Sequence, residues 1–388
     1  TNSTTAAAIY GPINNWDVSQ VTNMSQLFKD KTTFNDNISE WDVSNVTHME
    51  SMFNSATSFN KPLNDWNVSS VTDMKGMFCV AKAFDQDIGN WNVSNVTTMQ
   101  NMFYIAEVFN NGGNSSINNW NVSKVTAMAS MFREAKAFTQ PIGNWNVSSV
   151  NRMDYMFATN TPFNQDIGNW NVSNVVLFNN MFHSAEEFNQ DIGSWNMSSA
   201  TNTSHMFRYA LKFDQDIDGW DMSNVTLTSG MFYANGQFNQ NIGSWNMSNV
   251  KDTDSMFGDA SSFNQFIGNW NVSKVTDMTN MFIRATSFNQ PLGGWDVSSV
   301  TSMHNMFYKT SFNQNISGWN VTNVANIMAM FQDTPFDYDI SSWNLINMVD
   351  YDSFGLNSSH SDFEFTTSRQ GYFIVRRTPI NNTNIHLA

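Results

Sequence analysis

Ile38-Ser39-Glu40-Trp41-Asp42-Val43-Ser44-Asn45-Val46-Thr47-His48-Met49-Glu50-Ser51-Met52-Phe53-Asn54-Ser55-Ala56-Thr57-Ser58-Phe59-Asn60 is one copy of a pattern that fills most of the 388-residue chain. Tryptophan recurs at 16, 41, 66, 91, 120, 145, 170, 195, 220, 245, 270, 295, 319 and 343, a period of 25 residues with three departures. Four residues are inserted around Asn111-Gly112-Gly113-Asn114, ahead of Trp120, and one is missing from each of the two units between Trp295 and Trp343. Fourteen near-identical units at a short fixed period predict a solenoid, in which each turn buries its apolar side against its neighbours.

Within the unit, Trp41 and Val43 alternate, which suits a short strand with both side chains inward. Val46, Met49, Met52, Phe53, Ala56 and Phe59 then recur every three to four residues, as on a short helix or a 3₁₀-like segment. Thr47 stands where an N-cap belongs, with Glu50 completing a capping box in this one unit. Gly89, Gly143, Gly168 and Gly193 precede their Trp by two residues, where the chain is expected to bend tightly or take positive φ. The expected fold class is therefore an α/β repeat solenoid. It is leucine-rich-repeat-like and right-handed, with one short parallel β-strand and one short helix per 25-residue turn, over about 14 turns. Strands stacked at about 4.8 Å would make it roughly 65 Å long. The expected organisation is an extended segment over 1–12, the solenoid over 13–356 and a tail over 357–388. Phe363-Glu364-Phe365 and Tyr372-Phe373-Ile374-Val375 in that tail suit a hairpin that caps the array or docks onto another copy.

Composition agrees with an array. Charged residues are 13% of the chain, about half the usual share, while Asn numbers 57, Phe 32, Met 25 and Trp 14. Twelve Met-Phe pairs recur at one position, which points to core packing rather than a Met-rich groove. The net charge of −15 opposes phosphate backbones, so nucleic-acid binding is excluded. No run of about 18 apolar residues is present, so no direct membrane insertion is expected. A single cysteine, Cys79, rules out an internal disulfide framework and a Cys-based zinc site. The start at Thr1, without a methionine or an apolar signal region, reads as a processed product or a fragment.

The run Trp-Asn/Asp-Val-Ser-Asn-Val-Thr-x-Met followed by Met-Phe-x-x-Ala-x-x-Phe-Asn-Gln-Asp-Ile-Gly resembles the roughly 25-residue surface-protein repeat of mycoplasma and Listeria lipoproteins. That family is related to BspA-type leucine-rich repeats and is also abundant in marine microalgae. The resemblance spans about Ile13 to Phe354. It implies an extracellular or cell-surface protein used in adhesion or as a structural element, and it brings no catalytic residues to carry over. No lipobox cysteine leads the chain and no wall-anchor motif ends it.

In a stack, a chemical site should appear as one position repeated in adjacent turns. His48, His183, His205 and His304 fall at different positions, so no histidine cluster is expected. Asp166, Asp191 and Asp216 do share a position, four residues before Trp170, Trp195 and Trp220. Two readings stay open for them: a Ca²⁺ column that relieves carboxylate repulsion, or a solvated face. No other cofactor is expected. The residue after Trp is Asn or Asp throughout, and Asn67, Asn92, Asn121, Asn146, Asn171, Asn196, Asn246 and Asn271 are read as an outward polar ladder. That array serves either structure or recognition of a repetitive target such as a polysaccharide, a mineral or ice. Among many Asn-x-Ser/Thr sequons, Asn2, Asn114, Asn202, Asn357 and Asn381 stand outside the repeat pattern and are the glycosylation candidates. The functional expectation is a non-enzymatic structural or adhesive protein. Its partners are itself, head to tail in a filament, or surface glycans. A ligand-binding solenoid for carbohydrate, Ca²⁺ or ice is the alternative. An enzyme would need an acid/base cluster breaking the repeat, and only the Gly-rich insertion and the tail depart from it.

Overall fold

A computed structural model describes residues 3–358, 361–367 and 373–379, and it divides into two compact units, Thr1–Ser199 and Ala200–Ala388. The first unit opens with helix α1, Ser3–Tyr10, where an extended segment was expected. Ala6, Ala7 and Ala8 favour helix strongly enough to explain it. Short 3₁₀ turns follow at Ile13–Asn15 and, in the inserted segment, at Asn111–Gly113 and Ser115–Asn119.

The α/β leucine-rich-repeat plan is overturned. Among the described residues no repeat contains a β-strand or an α-helix. Successive repeats of the first unit do lie on one another in parallel, but each makes a single-residue bridge. The chain of bridges runs Asn23 to His48, Asp73, Thr98, Ala127, Arg152 and Leu177. These residues stand just before the Met49 position, not in the Trp41–Val43 stretch expected to be the strand.

The hydrogen bonds explain the absence of helix. The N–H groups of Met49, Ser51, Phe53 and Ser55 donate forward to the carbonyls of Asp73, Lys75, Met77 and Cys79, at 2.8–2.9 Å. Between them, Met52, Asn54 and Ala56 donate to the carbonyl three residues back. No i→i−4 ladder remains to be made. Ser51 and Ser55 sit at φ 55° and 60°, a left-handed conformation that a right-handed helix cannot continue through. For non-glycine residues that conformation costs about 1–2 kcal/mol each. The four inter-repeat hydrogen bonds and the burial of Met52 and Phe53, both 0% exposed, offset it. Spacing by threes and fours is thus satisfied by a run of tight turns as well as by a helix. Thr47 caps nothing: its hydroxyl and N–H both donate to the carbonyl of Thr22 in the preceding repeat, at 3.1 and 2.8 Å.

The apolar pattern forms the core. Ile38, Trp41, Val43, Val46, Met49, Met52, Phe53, Ala56 and Phe59 are all buried. Phe53 and Phe59 stack within their repeat at 4.2 Å, and Phe53 stacks on Phe78 of the next at 5.4 Å. Trp66 also has a polar role, as its indole Nε1 donates to the carbonyl of Ile38 at 3.1 Å. The glycines before Trp serve close approach and not positive φ. A Cβ on Gly168 would lie 2.5 Å from the carbonyl oxygen of Asp191, and one on Gly143 would lie 2.6 Å from that of Asp166.

The second unit repeats this bonding. Thr253, Ser255, Phe257 and Asp259 donate to Asp277, Thr279, Met281 and Ile283 at 2.7–3.1 Å, and single bridges link Asn202 through Asp350 at one position per repeat. Strands β1, Ser361–Thr367, and β2, Phe373–Pro379, pair antiparallel, with Phe363 opposite Arg377.

One position breaks the core rule. Asn160 is fully buried, and neither its amide oxygen nor its nitrogen has a hydrogen-bond partner among the described residues. Asn235, at the equivalent position in the second unit, is satisfied: its oxygen accepts from the N–H of Gln237 at 3.3 Å and its nitrogen donates to Phe213 at 3.0 Å. Two residues after Asn160 stands Pro162, which has no N–H to give. Ala56, Ala81, Ala106 and Ala135 fill this position elsewhere. Asn160→Ala is therefore expected to raise the unfolding free energy by about 1–2 kcal/mol, read from denaturant titrations of the two proteins side by side.

Candidate binding surface

The acidic column has a local structural use. The carboxylate of Asp166 accepts from the N–H of Gly168 at 3.0 Å, Asp191 from Gly193 at 2.9 Å, and Asp216 from Asp218 at 3.0 Å. Each closes an Asx turn that aims the chain at the following Trp. Asp166 and Asp191 lie in the first unit and Asp216 in the second. Among the described residues no group of three or more His, Cys, Asp or Glu is arranged to hold a metal ion.

The Asn residues after Trp are exposed, but they do not form a ladder. Asn67, Asn92, Asn121, Asn146, Asn171, Asn196, Asn246 and Asn271 each accept from the N–H of the Ser two residues on, at 3.0–3.2 Å. Side-chain rows along the stack run through other positions. The side-chain oxygens of Asn35, Asn60, Asp85 and Asn110 each accept from the backbone N–H of the next repeat, at 2.7–3.0 Å. Asn45 and Asn95 reach back to the carbonyls of Ser19 and Ser69, both at 2.8 Å. The recurring Phe-Asn-Gln was the available signal for the first row. It reads as a turn in one repeat and as a column only when turns are stacked.

Where Asp replaces Asn after Trp, the same bonds act on a charge. Hydrogen bonds from Ser19, Ser44, Ser223 and Ser298 hold Asp17, Asp42, Asp221 and Asp296 below the usual carboxylate range. A depressed folded pKa contributes stability that is present above the unfolded value, about 3.9, and is lost as pH falls through the folded one. The melting temperature should therefore fall on acidification below about pH 4. A variant carrying Asn at all four positions should lose less over the same titration; an unchanged acid limb would remove these four turns as a cause.

Of the glycosylation candidates, Asn114 and Asn357 are exposed. Asn114 donates to Asp87 at 2.8 Å and accepts from Ser116, and Asn357 donates to Asp333 at 2.9 Å. Asn202 is half-buried on a bridge to Leu227. Asn2 and Asn381 lie outside the described residues. Burial pushes the Cys79 thiol up to about 11.

Sequence spacing did not single out the position after each Met-Phe pair, and its side chains differ from turn to turn. It carries Asn54, Cys79, Tyr104, Arg133, Ala158 and His183 in the first unit. In the second it carries Arg208, Tyr233, Gly258, Ile283, Tyr308 and Gln332. Two arginines here lie over tyrosine rings. Arg133 lies 5.1 Å from the ring centre of Tyr104 and 4.9 Å from that of Tyr155, with Glu134 3.6 Å from its Nε. Arg208 lies 4.3 Å from Tyr233 and 5.2 Å from Tyr209. Beside it Arg284 donates from Nε and Nη2 to both oxygens of Asp259, each at 2.6 Å. Burial pulls the Asp259 carboxyl upward, but the bonds from Arg284 and Tyr233 outweigh it and hold it below its ordinary value. Tyr and Arg are the residues that protein recognition surfaces favour.

No helix among the described residues is long and apolar enough to cross a membrane. No curated protein and no solved structure matches the chain. A family model does, in four overlapping segments, residues 2–116, 110–219, 204–311 and 266–364, which together take in every repeat. The chain belongs to the family described as Mycoplasma protein of unknown function, DUF285.

Proposed function

We propose that the protein is a non-enzymatic structural or adhesive component acting at the cell surface or outside the cell, with surface glycans or further copies of the chain as partners. The observation that carries this reading is the division of labour along each repeat. Many polar side chains are spent on hydrogen bonds, some closing local turns and others, such as the Asn60 row and the Asn45 row, tying one turn to the next. The position after Met-Phe varies instead from turn to turn and includes Tyr104, Tyr233, Tyr308, Arg133 and Arg208. A stiff support that offers a limited variable strip suits attachment better than turnover. The resemblance of the repeat to those of mycoplasma and Listeria surface lipoproteins supports the same reading. Beads coated with the purified protein should adhere to cells or to glycan-coated plates, or the protein should form filaments visible in electron micrographs at high concentration. Bare beads together with discrete particles would sink the proposal.

A further inference from the structure

The Asn-x-Ser/Thr sequons divide by what the fold does with each amide. Asn114 and Asn357 use Nδ2 to bind Asp87 and Asp333, and Asn45 and Asn95 use it on carbonyls of the preceding repeat. Asn202 is half-buried. Asn320, in Trp319-Asn320-Val321-Thr322, is exposed. Its Oδ1 accepts from the N–H of Thr322 at 3.2 Å and from the Thr322 hydroxyl at 2.7 Å. Its Nδ2 makes no hydrogen bond among the described residues. With the oxygen held toward its own backbone, the NH2 group faces away from the turn. Asn315, in Asn315-Ile316-Ser317 of the same repeat, is exposed and built alike, its Oδ1 accepting from the N–H and hydroxyl of Ser317 at 3.0 and 2.8 Å.

Stacking adds a second condition. Ser302, Asn326 and Asp350 bridge in parallel from turn to turn, and parallel neighbours of that kind lie about 4.8 Å apart. A branched oligosaccharide is wider than this step, so one occupied turn obstructs the next at the same position. Asn67, Asn92, Asn121, Asn146, Asn171 and Asn196 stand in six successive turns and crowd one another, and Asn271 has Asn246 beside it. Asn320 is different. Its position holds Asp296 in the turn before and Asn344, in Asn344-Leu345-Ile346, in the turn after, and neither is an acceptor. Pro291 and Asp339 flank Asn315 in the same way.

We propose that Asn320 and Asn315 are modification sites that carry N-linked oligosaccharide, while the crowded run from Asn67 to Asn196 carries little. In the transfer, Nδ2 bonds to C1 of an oligosaccharide held on a lipid pyrophosphate. The C1–O bond to the phosphate breaks, its electron pair leaves with the pyrophosphate, and Nδ2 gives up one proton to a base of the transferase. Crowding acts when the turns close on one another, so chains that fold retain sugar chiefly at isolated positions. The inference rests on the reading of the chain as a surface or extracellular protein, the setting in which such acceptors are used.

The test expresses the full chain in a eukaryotic secretory host and maps its sugars by mass spectrometry. Release with peptide N-glycosidase in ¹⁸O water turns each modified Asn into a labelled Asp. Asn320 and Asn315 should be labelled in most molecules, and Asn92, Asn121, Asn146 and Asn171 in a minority. Asn320→Gln and Asn315→Gln should each remove one glycan-sized step in gel mobility, and Asn121→Gln should leave mobility unchanged. Thr322→Ala keeps Asn320 but breaks the acceptor motif, and should lose the same step as Asn320→Gln. Thermal melts identify any variant that fails through misfolding. Absence of carbohydrate at both positions overturns the inference, whether or not the host secretes the chain. So does labelling of the crowded run as complete as that of Asn320 and Asn315. If carbohydrate-free chain on beads still adheres to cells, the adhesive reading survives without these sites. If beads coated with either form adhere to nothing and no filament forms, that reading falls on its own evidence, and the label at Asn320 and Asn315 is scored separately.

Discussion

Phe157→Ala is expected to destabilise the first unit by about 3–5 kcal/mol, the range for deleting a fully buried phenylalanine ring. Phe157 is 0% exposed and touches aromatic neighbours in its own repeat and in both adjoining ones. It stacks on Phe163 at 3.9 Å, on Phe182 at 5.7 Å and on Phe132 at 5.9 Å, with Trp170 at 6.4 Å. Repacking cannot easily close the hole. Both neighbouring turns are held at fixed spacing by backbone bonds, Phe132 N–H to Met156 and Phe157 N–H to Met181, each 2.9 Å. Phe157→Leu should cost less, because most of the volume stays. Urea titration followed by tryptophan fluorescence measures both. Losses for the alanine variant below about 1 kcal/mol would mean that the aromatic column is not what couples the turns.

Asn111→Ala should be nearly as damaging, at about 2–4 kcal/mol, though it removes little apolar surface. Asn111 is completely buried in the inserted segment. Its oxygen accepts from the N–H of Ile88 at 2.9 Å, and its nitrogen donates to the carbonyl of Asn114 at 2.6 Å and to the Ser116 hydroxyl at 3.2 Å. Alanine would orphan the Ile88 N–H and the Asn114 carbonyl together, each costing about 1–3 kcal/mol. It would also have to hold φ 54°, which Asn tolerates better than Ala. Asn111→Asp separates the contributions: it keeps the acceptor for Ile88 and loses the donor. Equal denaturation midpoints for wild type and Asn111→Ala would show that the insertion is not pinned by this side chain.

The contrast between these two residues shows what could be read from the chain. Phe157 belongs to a column that repeats twelve times, so spacing alone marks it as core. Asn111 stands in a departure from the repeat, where no neighbour in sequence reveals that its amide bonds backward to Ile88. The candidate surface divides in the same way. Asn67 and its counterparts are exposed as their place between inward Trp and Val predicts. Their oxygens, however, are taken by the Ser two residues on, a local turn that outcompetes a ladder along the stack. The position after Met-Phe, which holds Arg133 and Arg208, changes from turn to turn and so leaves no signal in the period.

The sequence by itself determined the period, the number of turns and the membership of the core. These follow from which side chains avoid water and how often they recur, and stacking makes every repeat report the same answer. The path of the backbone between the core residues was decided only by the tertiary structure. Apolar residues spaced by threes and fours fit a helix or a chain of tight turns equally well. The choice falls to hydrogen bonds with the neighbouring repeat: once the carbonyls of Asp73, Lys75, Met77 and Cys79 stand in register beside residues 49–55, alternate N–H groups turn toward them. Ser51 and Ser55 accept left-handed φ, and no helix can form. That is a property of the stack, and no single 25-residue unit contains it.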